Sequence, residues 1–176
     1  MTNTPTDFVS FAGGWVVMTA AMMLPSAIPF VVSFGRSFSR DRLWPVAAAL
    51  LVLIYMAVWL IFGLGLFAAS TVVAMPAPSG LLTAVGIAFA LVYTLIPLRE
   101  VGSAGCAEMC RRFEGIPGGS LRAAVWRGGR YGVNCVLCTA GVMVAVFVAG
   151  MSDWRLVAVG AAAVFLLKIR GWYAIA

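Results

Sequence analysis

Tyr131-Gly-Val-Asn-Cys-Val-Leu-Cys-Thr-Ala-Gly141 begins an apolar run that continues to about Met151 without an ionised side chain. Roughly 20 such residues, coiled as a helix, are long enough to cross a bilayer. The run is continuous and does not alternate, so it reads as a helix and not as a barrel strand. Its first turns carry Cys135 and Cys138 at i, i+3, on one helical face, with Arg127 and Arg130 just before them. A second pair, Cys106 and Cys110, stands at i, i+4 in the long polar segment upstream, and these four are all the cysteines of the chain.

Working outward, the rest of the chain repeats the pattern. It has 176 residues, 63% of them hydrophobic, and a mean hydropathy of +1.04. Soluble domains are roughly 45–50% apolar. The expected fold is therefore all-α, a polytopic transmembrane helical bundle forming a single membrane domain over 1–176. Runs at about 8–34, 44–67, 81–98, 131–151 and 154–173 give about five spans, with a polar loop at 99–130. Met1 to Ser10 carries Asp7 and neither Lys nor Arg, so the basic start of a secretory signal is missing and the first run is expected to stay as a span.

The net charge of +6 would suggest nucleic acid in a soluble chain. Here it is the basic excess of cytoplasmic loops, and no nucleic-acid partner is expected. Arg36, Arg40 and Arg42 lie in the first loop, Arg99, Arg111, Arg112, Arg122, Arg127 and Arg130 in the long polar segment, and Lys168 and Arg170 near the end. With an odd number of spans these regions share one side, which places the N-terminus outside, the C-terminus in the cytoplasm and the cysteines at the cytoplasmic face of a bacterial inner membrane.

The first span contains Pro25 and Pro29, which free the carbonyls of Ala21 and Pro25. Lipid cannot satisfy freed carbonyls, so this face, with Met18 and Met22 on the same stripe, is expected to turn inward. Gly63 and Gly65 in the second span permit close helix approach. Ala104 to Phe113 reads as a short helix, Ser120 as the N-cap of a second one through Trp126, and Gly118, Gly119, Gly128 and Gly129 as turns. The first four spans carry no Asp, Glu, Lys or Arg at mid-membrane, which argues against a proton-coupled transporter.

Trp15-Val-Val-Met-Thr-Ala-Ala-Met-Met-Leu-Pro-Ser26 resembles the W-x-x-M-x-x-A-M-M-x-P signature of a bacterial family of predicted metal-binding integral membrane proteins (domain of unknown function 2182). Tyr93 to Arg99 resembles that family's Y-x-x-x-P-L-K, and Cys106 to Arg111 its C-x-x-x-C-R. Gly128, Arg130, Gly132, Cys135 and Cys138 fall on its G-x-R-H-G-x-Y-C-x-G-C-C-W pattern. The resemblance implies a membrane protein that binds metal. Tyr131 stands where that pattern has His, and Thr139 and Ala140 stand where it has a third Cys and a Trp.

Taken by their chemistry, Cys106, Cys110, Cys135 and Cys138 are candidate thiolate ligands for Cu(I), or for Zn in tetrahedral geometry. Neighbouring Arg111, Arg112, Arg127 and Arg130 would favour the thiolate form. The same cysteines also read as reduced thiols packing as small apolar side chains. Met18 and Met22 offer thioether sulfur to Cu(I), and Met is equally a common gap-filler. The chain has no His, which removes His-ligated haem, His-based zinc sites and His general bases.

Three functions follow: binding or handing over a soft metal ion at the cytoplasmic face; a structural or assembly subunit of a larger membrane complex; and a membrane thiol–disulfide oxidoreductase. The first is preferred, and the chain is not expected to be an enzyme. Its expected partners are the lipid bilayer and either other membrane proteins or further copies of itself.

Overall fold

The computed structural model describes residues 5–37, 43–72, 80–95, 104–105, 108, 121–149 and 154–173. They form five long helices: α1 (Pro5–Ser37), α2 (Trp44–Val72), α3 (Gly80–Leu95), α4 (Leu121–Ala149) and α5 (Trp154–Tyr173). No strand occurs among the described residues. The all-α fold expected from the sequence is what forms. Phe8–Val32, Trp44–Val72 and Leu121–Ala149 are long and apolar enough to cross a membrane, while Ala84–Tyr93 and Val157–Leu166 are shorter apolar stretches.

Local chemistry explains the ends. Pro45 lies in the first turn of α2, where a missing N–H has no helical partner to lose. The carbonyl of Leu43 accepts the N–H of Ala47 at 3.0 Å. At the other end of α2, Ser70 Oγ donates to the Phe67 carbonyl at 2.7 Å and Thr71 Oγ1 to that of Ala68 at 2.8 Å. Each hydroxyl bonds back to the carbonyl three residues earlier on its own helix and so keeps its polar tip satisfied.

Helix α4 is the centre, packed against α2, α3 and α5, while α1 packs against α2 and α5. Contacts give the helix directions. Leu51 meets Gly128 and Val58 meets Gly132, so α2 and α4 run parallel. Gly86 meets Ala145 and Tyr93 meets Gly141, so α3 runs against α4. Phe30 stacks on Tyr131 with centroids 4.0 Å apart, and Trp15 lies edge-on to Phe147 at 6.3 Å, so α1 also runs against α4. The end of α1, the start of α2, the end of α3 and the start of α4 therefore gather at one end of the bundle.

Several sequence readings change. The helix carrying Cys135 starts at Leu121 and not at Tyr131, and it continues unbroken through Trp126, Gly128 and Gly129. Those two glycines are helical, not turns. A Cβ on Gly128 would come 2.7 Å from the Leu51 carbonyl oxygen; this glycine lets two backbones touch, and the packing gained outweighs its weak helix propensity. Gly63 does permit close approach, with the Trp15 indole lying directly on it, whereas Gly65 has nothing within 4 Å. Ala104, Gly105 and Glu108 are helical as read; the rest of that short helix, and Ser120 as a cap, lie outside the described residues.

On α1, Met18 and Met22 are buried as expected, but Pro25 is exposed and Pro29 half-buried. The inner face runs instead through Trp15, Met18, Thr19, Met22, Met23, Ser26, Ala27, Phe30 and Phe34. Two large rings at Phe30 and Phe34 have more apolar surface to bury than the prolines, and Phe30 fixes the face by stacking on Tyr131.

Candidate functional site

Cys135 and Cys138 sit on α4 as the i, i+3 spacing requires, both buried and both unbridged. Around Cys135 the local hydrogen bonds are specific. Tyr55 Oη of α2 lies 3.3 Å from Cys135 Sγ, and either atom can donate. Cys138 Sγ donates to the Cys135 carbonyl at 3.2 Å, and Thr139 Oγ1 donates to the same carbonyl at 2.7 Å. One backbone oxygen thus accepts two side-chain donors. If Cys138 turns its sulfur elsewhere, Thr139 still satisfies that oxygen, so the sulfur can move without stranding a buried acceptor.

The walls are aromatic. Tyr131 stacks on Phe30 with the rings 5° from parallel, and the Tyr55 and Tyr131 centroids are 5.6 Å apart. Position 131, where the resembled pattern carries His, therefore faces the same group of residues as Cys135. At the opposite end, Phe11 lies 4.8 Å from Phe67 and 6.0 Å from Phe147, with Trp15 beside it at 5.9 Å. Trp15 Nε1 donates to the Trp59 carbonyl at 2.9 Å. Aromatic groups thus close both ends of the interior.

Between them lie sulfur atoms. Met18, Met22, Met23 and Met143 belong to the same buried core as Cys135 and Cys138. The Met22 methyl and Val146 Cγ2 both border Gly160 of α5, each 3.0 Å from where a Cβ would stand. Met22 thus reaches the α4–α5 seam, with its methyl packed against Gly160. Thr19 Oγ1 is buried in this core without a hydrogen-bond partner.

Cys106 and Cys110 lie outside the described residues, so the expected meeting of the two cysteine pairs is not described. Gly105, the residue before Cys106, does lie against the Asn134 side chain, and a Cβ there would come 2.5 Å from Asn134 Nδ2. Asn134 is the residue before Cys135. Among the described residues no three Cys, Asp or Glu side chains gather in one place. Of the arginines expected to favour thiolates, Arg127 is half-buried and Arg130 exposed, while Arg111 and Arg112 lie outside the described residues.

Sequence reasoning missed Tyr55, Thr139 and Met143. The signal for Tyr55 was present: it is a polar-tipped ring amid the apolar run of α2, and a buried phenol needs a partner. Thr139 and Met143 follow Cys135 at i+4 and i+8, on the face that the cysteine itself marks.

An all-helical bundle with three membrane-length helices and an interior lined by thiol and thioether sulfur defines the class. Within it, the chain belongs to the PpoB2 copper chaperone family, whose model matches residues 12–174. No curated protein and no solved structure matches the chain. A metal-related family is thus found, as the motifs implied, under the name PpoB2 and with copper as the metal of its description.

Proposed function

We propose that this protein is a multi-pass inner-membrane copper carrier that takes up Cu(I) at its cytoplasmic end on cysteine sulfur and hands it on. One observation supports this reading above the others: Cys135 and Cys138 are unbridged on one face of α4, in a chain that falls in a copper chaperone family over nearly its whole length. Copper is the cargo here. Thiolate and thioether are the soft donors that prefer Cu(I). Cys106 and Cys110 complete the proposed donor set, and the contact of Gly105 with Asn134 brings their segment to the start of the Cys135 turn. Met18 and Met22 are proposed as the next sulfurs inward. The alternating helix directions also support five crossings with the N-terminus outside, since they gather the Arg-bearing loops at one end.

In this reading Cu(I) displaces the thiol proton of a cysteine, which leaves to solvent as the Cu–S bond forms. Cys138 gives up its bond to the Cys135 carbonyl, and Thr139 holds that carbonyl throughout. No bond of a substrate other than this metal–sulfur linkage is made or broken, so the protein is a carrier and not an enzyme.

The test is copper binding by detergent-purified protein, measured by competition with a chromophoric Cu(I) chelator. Wild type is compared with Cys135→Ser/Cys138→Ser and with Cys106→Ser/Cys110→Ser. Wild type is expected to hold Cu(I), and each double variant to lose it. Copper retained in full by the Cys135→Ser/Cys138→Ser protein would overturn the thiol assignment, and wild type without copper would overturn the carrier reading itself.

A further inference from the structure

Resting on that reading, we infer that Tyr55 is the positioning residue for Cys135: its phenol O–H is the hydrogen-bond donor that holds this sulfur in place when it carries copper. The two residues are 80 positions apart in sequence, yet Tyr55 Oη and Cys135 Sγ lie 3.3 Å apart and both side chains are buried. In the free protein either atom can donate. Once sulfur exchanges its proton for copper, it can only accept, and the phenol becomes the donor of the pair. The contact therefore runs in one direction only once copper is bound, with the phenol donating and the sulfur accepting. Cys138 and Thr139 both donate to the Cys135 carbonyl.

The phenol is held where this requires. Leu51, one turn before Tyr55, has its carbonyl against Gly128, which brings α2 within reach of α4. The ring of Tyr55 rests 5.6 Å from that of Tyr131, and Tyr131 is itself clamped on Phe30 at 4.0 Å. Helices α1, α2 and α4 thus all contribute to fixing one oxygen beside one sulfur. A donor fixed in advance restrains the sulfur without ordering anything new at the moment of binding.

The experiment is Tyr55→Phe in the full-length, detergent-purified protein, with Cu(I) affinity read by chelator competition and folding by thermal unfolding. The expected result is affinity about tenfold weaker, with an unfolding temperature lowered no more than in Tyr93→Phe, because the ring remains and one hydrogen bond is lost in each. Tyr93→Phe is the comparison: its phenol donates to the Leu137 carbonyl at 2.6 Å, so this change should move stability and lower affinity less than Tyr55→Phe does. A second arm places fluorinated tyrosines at position 55. Affinity should rise with the donor strength of the phenol, a trend that a purely structural ring would not produce. Wild-type affinity in Tyr55→Phe, or no trend across the fluorinated series, overturns the inference while the carrier reading stands. Wild type that binds no Cu(I) overturns both.

Discussion

Replacing Gly128 by Ala tests the contact on which the whole site is hung. A Cβ at this position would lie 2.7 Å from the Leu51 carbonyl oxygen and 3.3 Å from the Leu51 Cα. Both are backbone atoms, so no side chain can swing aside and α4 has to move away from α2. Overpacking of this kind costs about 1–3 kcal/mol, and Ala in place of Gly returns about 1 kcal/mol of helix propensity. The net expectation is a loss of about 0–2 kcal/mol, or up to roughly 8 °C in unfolding temperature for a chain of this size. Gly65→Ala is the matched control, since nothing lies within 4 Å of its Cβ position; it keeps the propensity gain and should leave stability level or raise it. Intrinsic tryptophan fluorescence of the detergent-solubilised protein during heating reads both. Because Cys135 follows Gly128 by two turns, Gly128→Ala should also weaken copper affinity by drawing sulfur away from Tyr55. An unfolding temperature for Gly128→Ala equal to or above that of Gly65→Ala would refute the close-approach argument.

Two other perturbations have definite outcomes. Trp15→Phe removes the donor to the Trp59 carbonyl and should cost about 1 kcal/mol from that bond alone, read as a lower unfolding temperature on heating; an unchanged one would contradict the hydrogen-bond assignment. Reporter fusions at Ser79 and Pro117 should report opposite sides of the membrane, with Pro117 cytoplasmic, and a periplasmic Pro117 would remove the cytoplasmic loading of copper.

Helix existence was legible in the sequence because uninterrupted apolar length is the signal and needs no partner to be read. The run from Tyr131 is helical, as are those from Trp44 and Leu81. Boundaries and faces were less legible for a definite reason. Gly128 and Gly129 have turn chemistry by composition, but what decides their conformation is the Leu51 carbonyl on another helix, and nothing local encodes it. Pro25 illustrates the same limit: its freed carbonyl argued for an inward face, and the bulk of Phe30 and Phe34 turned the helix otherwise. That Cys135 and Cys138 share one helical face was legible from their spacing, and both are buried on α4. Tyr55 was not legible, because a hydrogen bond across 80 residues depends on which helices become neighbours. That choice is made by close-packing glycines on α4, and each of them looks like any other glycine in the sequence.

Charge balance gives a reason why one thiolate beside neutral sulfur suits this interior. Carrying net charge into an apolar core is costly unless the charge is paired. Cu(I) on the Cys135 thiolate is a neutral unit, and adding a thiol or a thioether completes two-coordinate binding without adding charge. Two thiolates on Cu(I) leave a net charge of −1, and four thiolates on Zn leave −2, each of which calls for a cation nearby. The described arginines around this turn lie toward the start of α4: Arg127 is half-buried and Arg130 exposed, so compensation weakens with depth. Neutral donors continue inward, with Met18, Met22 and Met143 buried in the same core as the cysteines. A carrier that collects Cu(I) on thiolates near the arginines and passes it toward thioethers would shed negative charge from the complex as the ion moves deeper, and the low dielectric of the interior would favour that order of ligands over its reverse.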